Sequence, residues 1–194
     1  MNAVRAFIAI ELPEVTQAAL AEVQSRLSQH IPPGSVRWVK PRNMHLTLKF
    51  LGQVPTAQIE TIATALRHAL VSMREFSFDV MNAGCFPNER RPRVIWIGVE
   101  EPSGALQTLH RTIEMVIEPM GYPVEPRSFQ PHLTLGRAAR DVKPSDLHRV
   151  GEVTLSHKVG LLGHIHVNDV ALFQSDLTAS GPVYKALARI PLAR

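Results

Sequence analysis

The sequence predicts an α+β fold of two pseudo-symmetric halves, and three observations predict it. Short β-rich runs alternate with longer segments whose apolar residues fall at helical spacing. The order strand, helix, loop, His-Leu-Thr-Leu strand occurs twice, with the tetrapeptide at residues 45–48 and again at 132–135. One offset of 87 residues carries His45 onto His132, Ile8 onto Ile95 and Ile10 onto Ile97, which marks an internal duplication. No low-complexity linker separates the halves, so residues 1–194 are expected to form a single bilobal domain.

Val4 to Ile10 is a β-rich run, and Pro13 suits the first turn of a helix whose apolar positions are Val15, Ala18, Ala19, Val23 and Leu27. That helix should end before Ile31-Pro32-Pro33-Gly34. Trp38-Val39 and Met44 to Leu51 read as extended, with Gly52 as a stop. A second helix is expected over Thr56 to Met73, followed by the alternating strand Phe76 to Val80. The second half opens with the strand Arg93 to Val99. A helix N-capped by Ser103 follows, with Leu106, Leu109, Ile113, Val116, Ile117 and Met120 on one face. Phe129 to Arg137 is then extended, Ala138 to Arg149 is hydrophilic, and Val153-Thr154-Leu155, Val170 to Phe173 and Tyr184 to Leu187 read as strands.

The chain has 194 residues, 45% hydrophobic and 20% charged, close to the globular average, which disfavours a disordered or fibrous protein. Twenty-one Lys and Arg against seventeen Asp and Glu give a formal charge of +4, a mild excess that favours a phosphate-bearing ligand. The only cysteine, Cys85, excludes an intramolecular disulfide and any zinc site built on several thiolates. The apolar run Ala6 to Ile10 is too short for a signal-peptide core, and no stretch is long enough to span a bilayer. A cytoplasmic monomer with no membrane contact is expected.

On a strand, residues i and i+2 share a face about 6.6 Å apart, so His45 and Thr47 point one way while Leu46 and Leu48 anchor the other. The same holds for His132 and Thr134 above Leu133 and Leu135. Two facing imidazoles suit phosphate-ester chemistry, because one can take a proton at neutral pH while the other gives one. Each such transfer is worth roughly 10² to 10⁴ in rate, or about 3 to 5 kcal/mol of barrier. The threonine hydroxyls are expected to bind the non-bridging phosphate oxygens. A third match, His110-Arg111-Thr112-Ile113, lies within the helical stripe, where i and i+2 diverge, so His110 is expected to be a solvated or half-buried helix residue.

These paired motifs resemble the two-histidine phosphoesterases, in particular the bacterial and archaeal RNA 2′,3′-cyclic phosphodiesterases, historically called 2′-5′ RNA ligases. The resemblance spans nearly the whole chain. It includes Arg5 to Pro13, Met44 to Gly52, Phe86-Pro87 before Arg93 to Val99, Phe129-Gln130-Pro131, Val170 to Leu177 and Gly181 to Tyr184. It implies a bilobal fold with a sheet in each lobe lining a central cleft and helices outside, with His45 as general acid, His132 as general base, and neither metal nor other cofactor. The implied substrate is an RNA end or oligonucleotide carrying a 2′,3′-cyclic phosphate. The implied product is a 2′-phosphate, with 2′-5′ ligation as the reverse reaction.

Arg137 matches that family's phosphate-contacting arginine. Strict alternation puts it on the leucine face, and Gly136 is where a bulge would re-aim it. Trp38, Phe129 and Lys40 are candidates to meet a base or a neighbouring phosphate. Two other readings compete. A metal hydrolase would use His164, His166 and Asp169, with His157 nearby; a non-catalytic nucleotide-binding module would keep the cleft without needing two proton-transfer groups. No Gly-x-x-x-x-Gly-Lys loop or Lys-x-Asp-Gly motif supports an ATP-driven ligase.

Overall fold

The computed structural model describes residues 2–179 and 181–194. The elements follow in the order β1 (Ala3–Glu11), α1 (Glu14–Ser28), β2 (Val36–Trp38), β3 (His45–Pro55), α2 (Ile59–Leu70), β4 (Phe76–Phe86), β5 (Val94–Glu100), α3 (Ala105–Ile117), β6 (His132–Ala138), α4 (Pro144–Ser156), β7 (Gly163–Val167), β8 (Asp169–Thr178) and β9 (Gly181–Pro191). Three expectations are corrected. Residues 153–155 lie in α4, where Val150 and Val153 supply the buried face that looked strand-like out of context. Gly52 does not stop β3, because its positive φ of 70° sits at a bulge and the strand resumes to Pro55. Ser103 is not the N-cap of α3: Gly104 holds that position, and ahead of it Glu101 accepts the Leu106 N–H at 3.0 Å while the Ser103 hydroxyl accepts from Ala105 at 3.3 Å.

All named strands join one antiparallel sheet in the order β7-β4-β5-β6-β3-β1-β8-β9, with β2 paired to β6. The path divides into two half-sheets of four strands with a motif strand innermost in each, β4 of the first sequence half lying with β7, β5 and β6, and β8 and β9 of the second lying with β1 and β3, so the α+β fold of two duplicated units is present. The half-sheets meet at one pair, Leu46 opposite Leu133. Both leucines are fully buried in the main core with Ile8, Ile10, Ile95 and Ile97.

The duplication extends to backbone irregularities. In β1·β3, Ile8 faces Lys49 but Ala9 faces Thr47, leaving Leu48 as an extra residue. In β5·β6, Ile95 faces Gly136 but Trp96 faces Thr134, leaving Leu135 in the corresponding place. A bulge shifts the parity of every residue after it. Leu48 and Lys49 are therefore both buried and Phe50 exposed, while Leu135 and Gly136 are both buried and Arg137 exposed. Gly136 also permits β2 to approach, since a Cβ there would stand 2.6 Å from Val36 Cγ1 and 3.0 Å from the Trp38 ring.

The helices cross between the halves. On α1, Gln24 donates through Nε2 to the bulge carbonyl of Leu135 at 2.8 Å and to Val39 O at 2.8 Å, so the first helix holds the second motif strand. On α3, Glu114 accepts from Lys49 Nζ at 2.5 Å, so the second helix holds the first.

Candidate active site

Opposed residues in an antiparallel pair project to the same face. Leu46 and Leu133 both project into the core, so the residues beside them, His45 and Thr47 on one strand and His132 and Thr134 on the other, project together to the opposite face. The antiparallel register sets each histidine beside the other strand's threonine. All four side chains are half-buried.

Both imidazoles are oriented by the same device. His45 Nδ1 lies 2.8 Å from Asn43 O and His132 Nδ1 lies 2.7 Å from Gln130 O. A carbonyl only accepts, so each Nδ1 carries the hydrogen, and in the neutral ring Nε2 keeps its lone pair. Asn43 is itself buried and donates to Pro182 O at 2.8 Å, which ties the His45 support to β9.

The surroundings of the two rings differ. His45 stacks on Phe7 at 4.7 Å and meets the edge of Tyr184 at 5.3 Å, and Phe7 in turn stacks on Phe173. This burial lowers the His45 pKa to about 4, with its bond to Asn43 opposing the shift. His132 meets the edge of Phe86 at 5.0 Å. Its pKa is lowered by burial, opposed by the Gln130 carbonyl, and lowered further by the charge of Arg137. Arg137 also lowers the phenol pKa of Tyr184 against a larger upward push from burial. Arg137 therefore stands near a ring on each half of the sheet, His132 on β6 and Tyr184 on β9, and the bulge has returned it to the histidine face.

Thr47, His132 and Arg137 line a cleft of about 920 Å³ together with Arg93, Arg127 and Phe129. His45 lines a second cavity of about 340 Å³ with Phe7, Arg42 and Tyr184. Thr134 shares the face but lines neither. Trp38 packs in the core over Gly136, and neither it nor Lys40 lines the two cavities. Phe129 does reach the cleft. Arg93, Arg127, Lys49 and His110 line it too; periodicity carries no signal for Arg127 in its loop, Arg93 and Lys49 read as ordinary strand residues, and His110 reads as an ordinary helix residue.

The alternative metal set does not converge. His164 Nδ1 pairs with Asp79 at 2.7 Å, His166 Nε2 with Glu75 at 2.7 Å, and Asp169 with Arg189 at 3.4 Å. His157 is not drawn in: among the described residues, no group of three or more His, Cys, Asp or Glu side chains is placed to hold a metal ion.

A family model described as "LigT like Phosphoesterase" matches residues 10–96 and again 97–184, two copies whose starts are 87 residues apart. The chain belongs to the LigT-like phosphoesterase family. A relative from Methanothermobacter thermautotrophicus, called RNA 2′,3′-cyclic phosphodiesterase, is 34% identical over 181 residues, covering 93% of this chain and 95% of its own. A crystal structure from Thermus thermophilus superposes with a TM-score of 0.78 at 28% identity, covering 97% of both chains. Escherichia coli LigT, solved with 3′-AMP, superposes with a TM-score of 0.79 over the whole of both chains; at 24% identity that likeness concerns the fold. Among the described residues, no helix is long and apolar enough to cross a membrane.

Proposed function

We propose that this chain hydrolyses RNA 2′,3′-cyclic phosphate ends to 2′-phosphomonoesters by two-histidine general acid–base catalysis, as one bilobal, monomeric, cytoplasmic domain. The observation that carries the reading is the face shared by His45, Thr47, His132 and Thr134 across the Leu46–Leu133 pair, with both Nδ1 atoms committed to backbone carbonyls. An imidazole fixed at Nδ1 has only Nε2 left for proton transfer, and two such atoms on one face suit a phosphorus attacked from one side and released from the other. Relatives that cover nearly all of the chain and are named RNA 2′,3′-cyclic phosphodiesterase support the substrate class.

In the proposed mechanism the phosphate lies between the two imidazoles. His132 Nε2 removes a proton from an in-line water, and protonated His45 delivers one to the departing 3′-oxygen. Thr47 and Thr134 donate hydroxyl hydrogens to non-bridging oxygens, and Arg137 offsets their charge. The mechanism asks nothing of a metal, since proton transfer and charge stabilisation are both assigned to side chains. Ligation to a 2′-5′ bond is the same ring opening with an RNA 5′-hydroxyl in place of water: it bonds to phosphorus and gives its proton to His132, while the P–O3′ bond breaks and the 3′-oxygen takes the proton of His45.

The test is incubation with an RNA ending in a 2′,3′-cyclic phosphate in the presence of chelator, read by phosphorus NMR. Wild type is expected to give a 2′-phosphate. His45→Ala and His132→Ala should each lose roughly 10² to 10⁴ in kcat, and the double variant should be little worse, because the pair acts as a unit. Full activity in either single variant would sink the reading, and a 3′-phosphate product would exchange the acid and base labels.

A further inference from the structure

Residues 123–131 run from the Tyr122 anchor to the start of β6 and contribute Glu125, Arg127, Ser128, Phe129 and Gln130 to the cleft. Residues 123–128 are all exposed, and the segment carries no backbone–backbone hydrogen bond among the described residues. Yet its Gln130 carbonyl is the group that orients His132. Something other than regular structure must hold it.

Two contacts do so. Lys49, 2% exposed, donates from Nζ to Pro123 O at 2.6 Å while bonded to Glu114 Oε2. His110 lies flat on Phe129, with ring centroids 4.0 Å apart and planes 6° from parallel, and its Nε2 stands 3.6 Å from Glu114 Oε1. That second carboxylate oxygen is buried without a hydrogen-bond partner. His110 is faced by Glu114 on its own helix, by Lys49 from β3 and by Glu125 from the loop, and burial lowers its pKa more than any of these moves it. A neutral ring stacks on phenylalanine without the cost of desolvating a cation.

We infer that His110 is a positioning residue: by stacking on Phe129 it fixes the adjacent Gln130 carbonyl, and through it the orientation of His132. The inference rests on the proposed role of His132 in proton transfer. It assigns His110 no proton to move and no contact with the reacting atoms. The imidazole acts as a flat, half-buried surface, so an aromatic ring of similar size should replace it.

The experiment compares His110→Ala, His110→Phe and Phe129→Ala, reading kcat for cyclic-phosphate opening and the titration of the His132 ring by NMR. The Gln130 carbonyl favours protonated His132, so loosening it should lower the His132 pKa by at least about half a unit. It should also lower kcat by about tenfold or more, since misplacing a catalytic group by an ångström can cost that much or more. His110→Ala and Phe129→Ala should both show these changes, and His110→Phe should show neither. An unchanged His132 titration in His110→Ala overturns the inference, as does a His110→Phe variant as impaired as the alanine one. If His110→Ala does not fold, Phe129→Ala removes the same stack from the other side. A wild type inactive on cyclic phosphate would instead refute the proposed function, and the titration would still decide the positioning role.

Discussion

The two motif strands carry the same bulge and then diverge. After Leu48 comes Lys49, fully buried and bonded to Glu114, then Phe50 facing out; after Leu135 comes Gly136, closely approached by β2, then Arg137. The histidines keep the same orientation, each from a carbonyl two residues earlier, but one ring is packed among Phe7 and Tyr184 and the other stands beside a guanidinium. Duplication has preserved the backbone devices that aim the imidazoles and released the side chains beyond them. A phosphate between two equivalent histidines could bind in either direction. Phe50 and Arg137, equivalent by the 87-residue offset and both lining the cleft, make the two directions unequal.

The sharpest way to break the comparison is at the residue after the bulge. Lys49→Met leaves the Glu114 carboxylate buried with neither oxygen hydrogen-bonded, and stranding one member of a buried ion pair costs about 3–5 kcal/mol. Joint replacement, Lys49→Met with Glu114→Leu, removes both charges and should recover most of that loss or exceed wild-type stability. Urea denaturation measures both. A single variant as stable as wild type would mean that the buried pair does not secure the first strand, and the contrast with Gly136 would lose its structural meaning.

A smaller effect is expected one residue further on. Arg137→Ala removes charge-assisted hydrogen bonds worth about 1.5–3 kcal/mol, so kcat/KM for a cyclic-phosphate substrate should fall roughly 10- to 150-fold. Arg137→Lys should recover only part, because an ammonium lacks the planar fork. Phe50→Ala, at the equivalent position of the other half, removes a ring that lines the same cleft but carries no charge for a phosphate, so its loss in kcat/KM should be smaller than that of Arg137→Ala. Equal losses at Arg137 and Phe50 would contradict the asymmetry proposed for the site.

How far the sequence disclosed this arrangement follows from which interactions are local. Period-2 alternation and the 87-residue offset located His45, Thr47, His132 and Thr134, because a strand's facing depends only on its own pattern. Arg137 was legible as soon as Gly136 suggested a bulge, although the extra residue proves to be Leu135, and the same bulge stands at Leu48 in β3 where lysine follows in place of glycine. The roles of Lys49, Glu114 and His110 depend on α3 crossing beneath the opposite half, a tertiary fact that no window of sequence contains. For the same reason residues 153–155 looked like a strand: three residues hold too little of a period to tell a buried helix turn from extended chain. The three proposed metal ligands fail for the converse reason. Proximity in sequence placed His164, His166 and Asp169 together, and cross-strand carboxylates and Arg189 separate them.

The smallest expected effect is a displacement along the pH axis, and it compares the two histidines directly. In the ligand-free protein burial holds His45 at about 4 and His132 below its ordinary value. The proposed reaction needs one ring neutral and the other protonated, and kcat/KM reports the ionisations of free enzyme, so its bell should peak on the acidic side of about 6.5. A bound phosphate anion favours both imidazolium forms, so the bell of kcat should lie at higher pH than that of kcat/KM. Coincident profiles, or a kcat/KM maximum above neutrality, would refute this reading of the site. The same burial weakens the fold in acid. Between about 6.5 and 4 the unfolded chain takes up a proton at His45 that the folded one refuses, so stability falls as pH drops through this window and the His45 share is fully lost below it. His45→Phe has no such proton to refuse. Its urea midpoint should therefore decline less steeply than that of wild type over the same range, and parallel declines would show that the His45 ring is not held neutral by its packing on Phe7 and Tyr184.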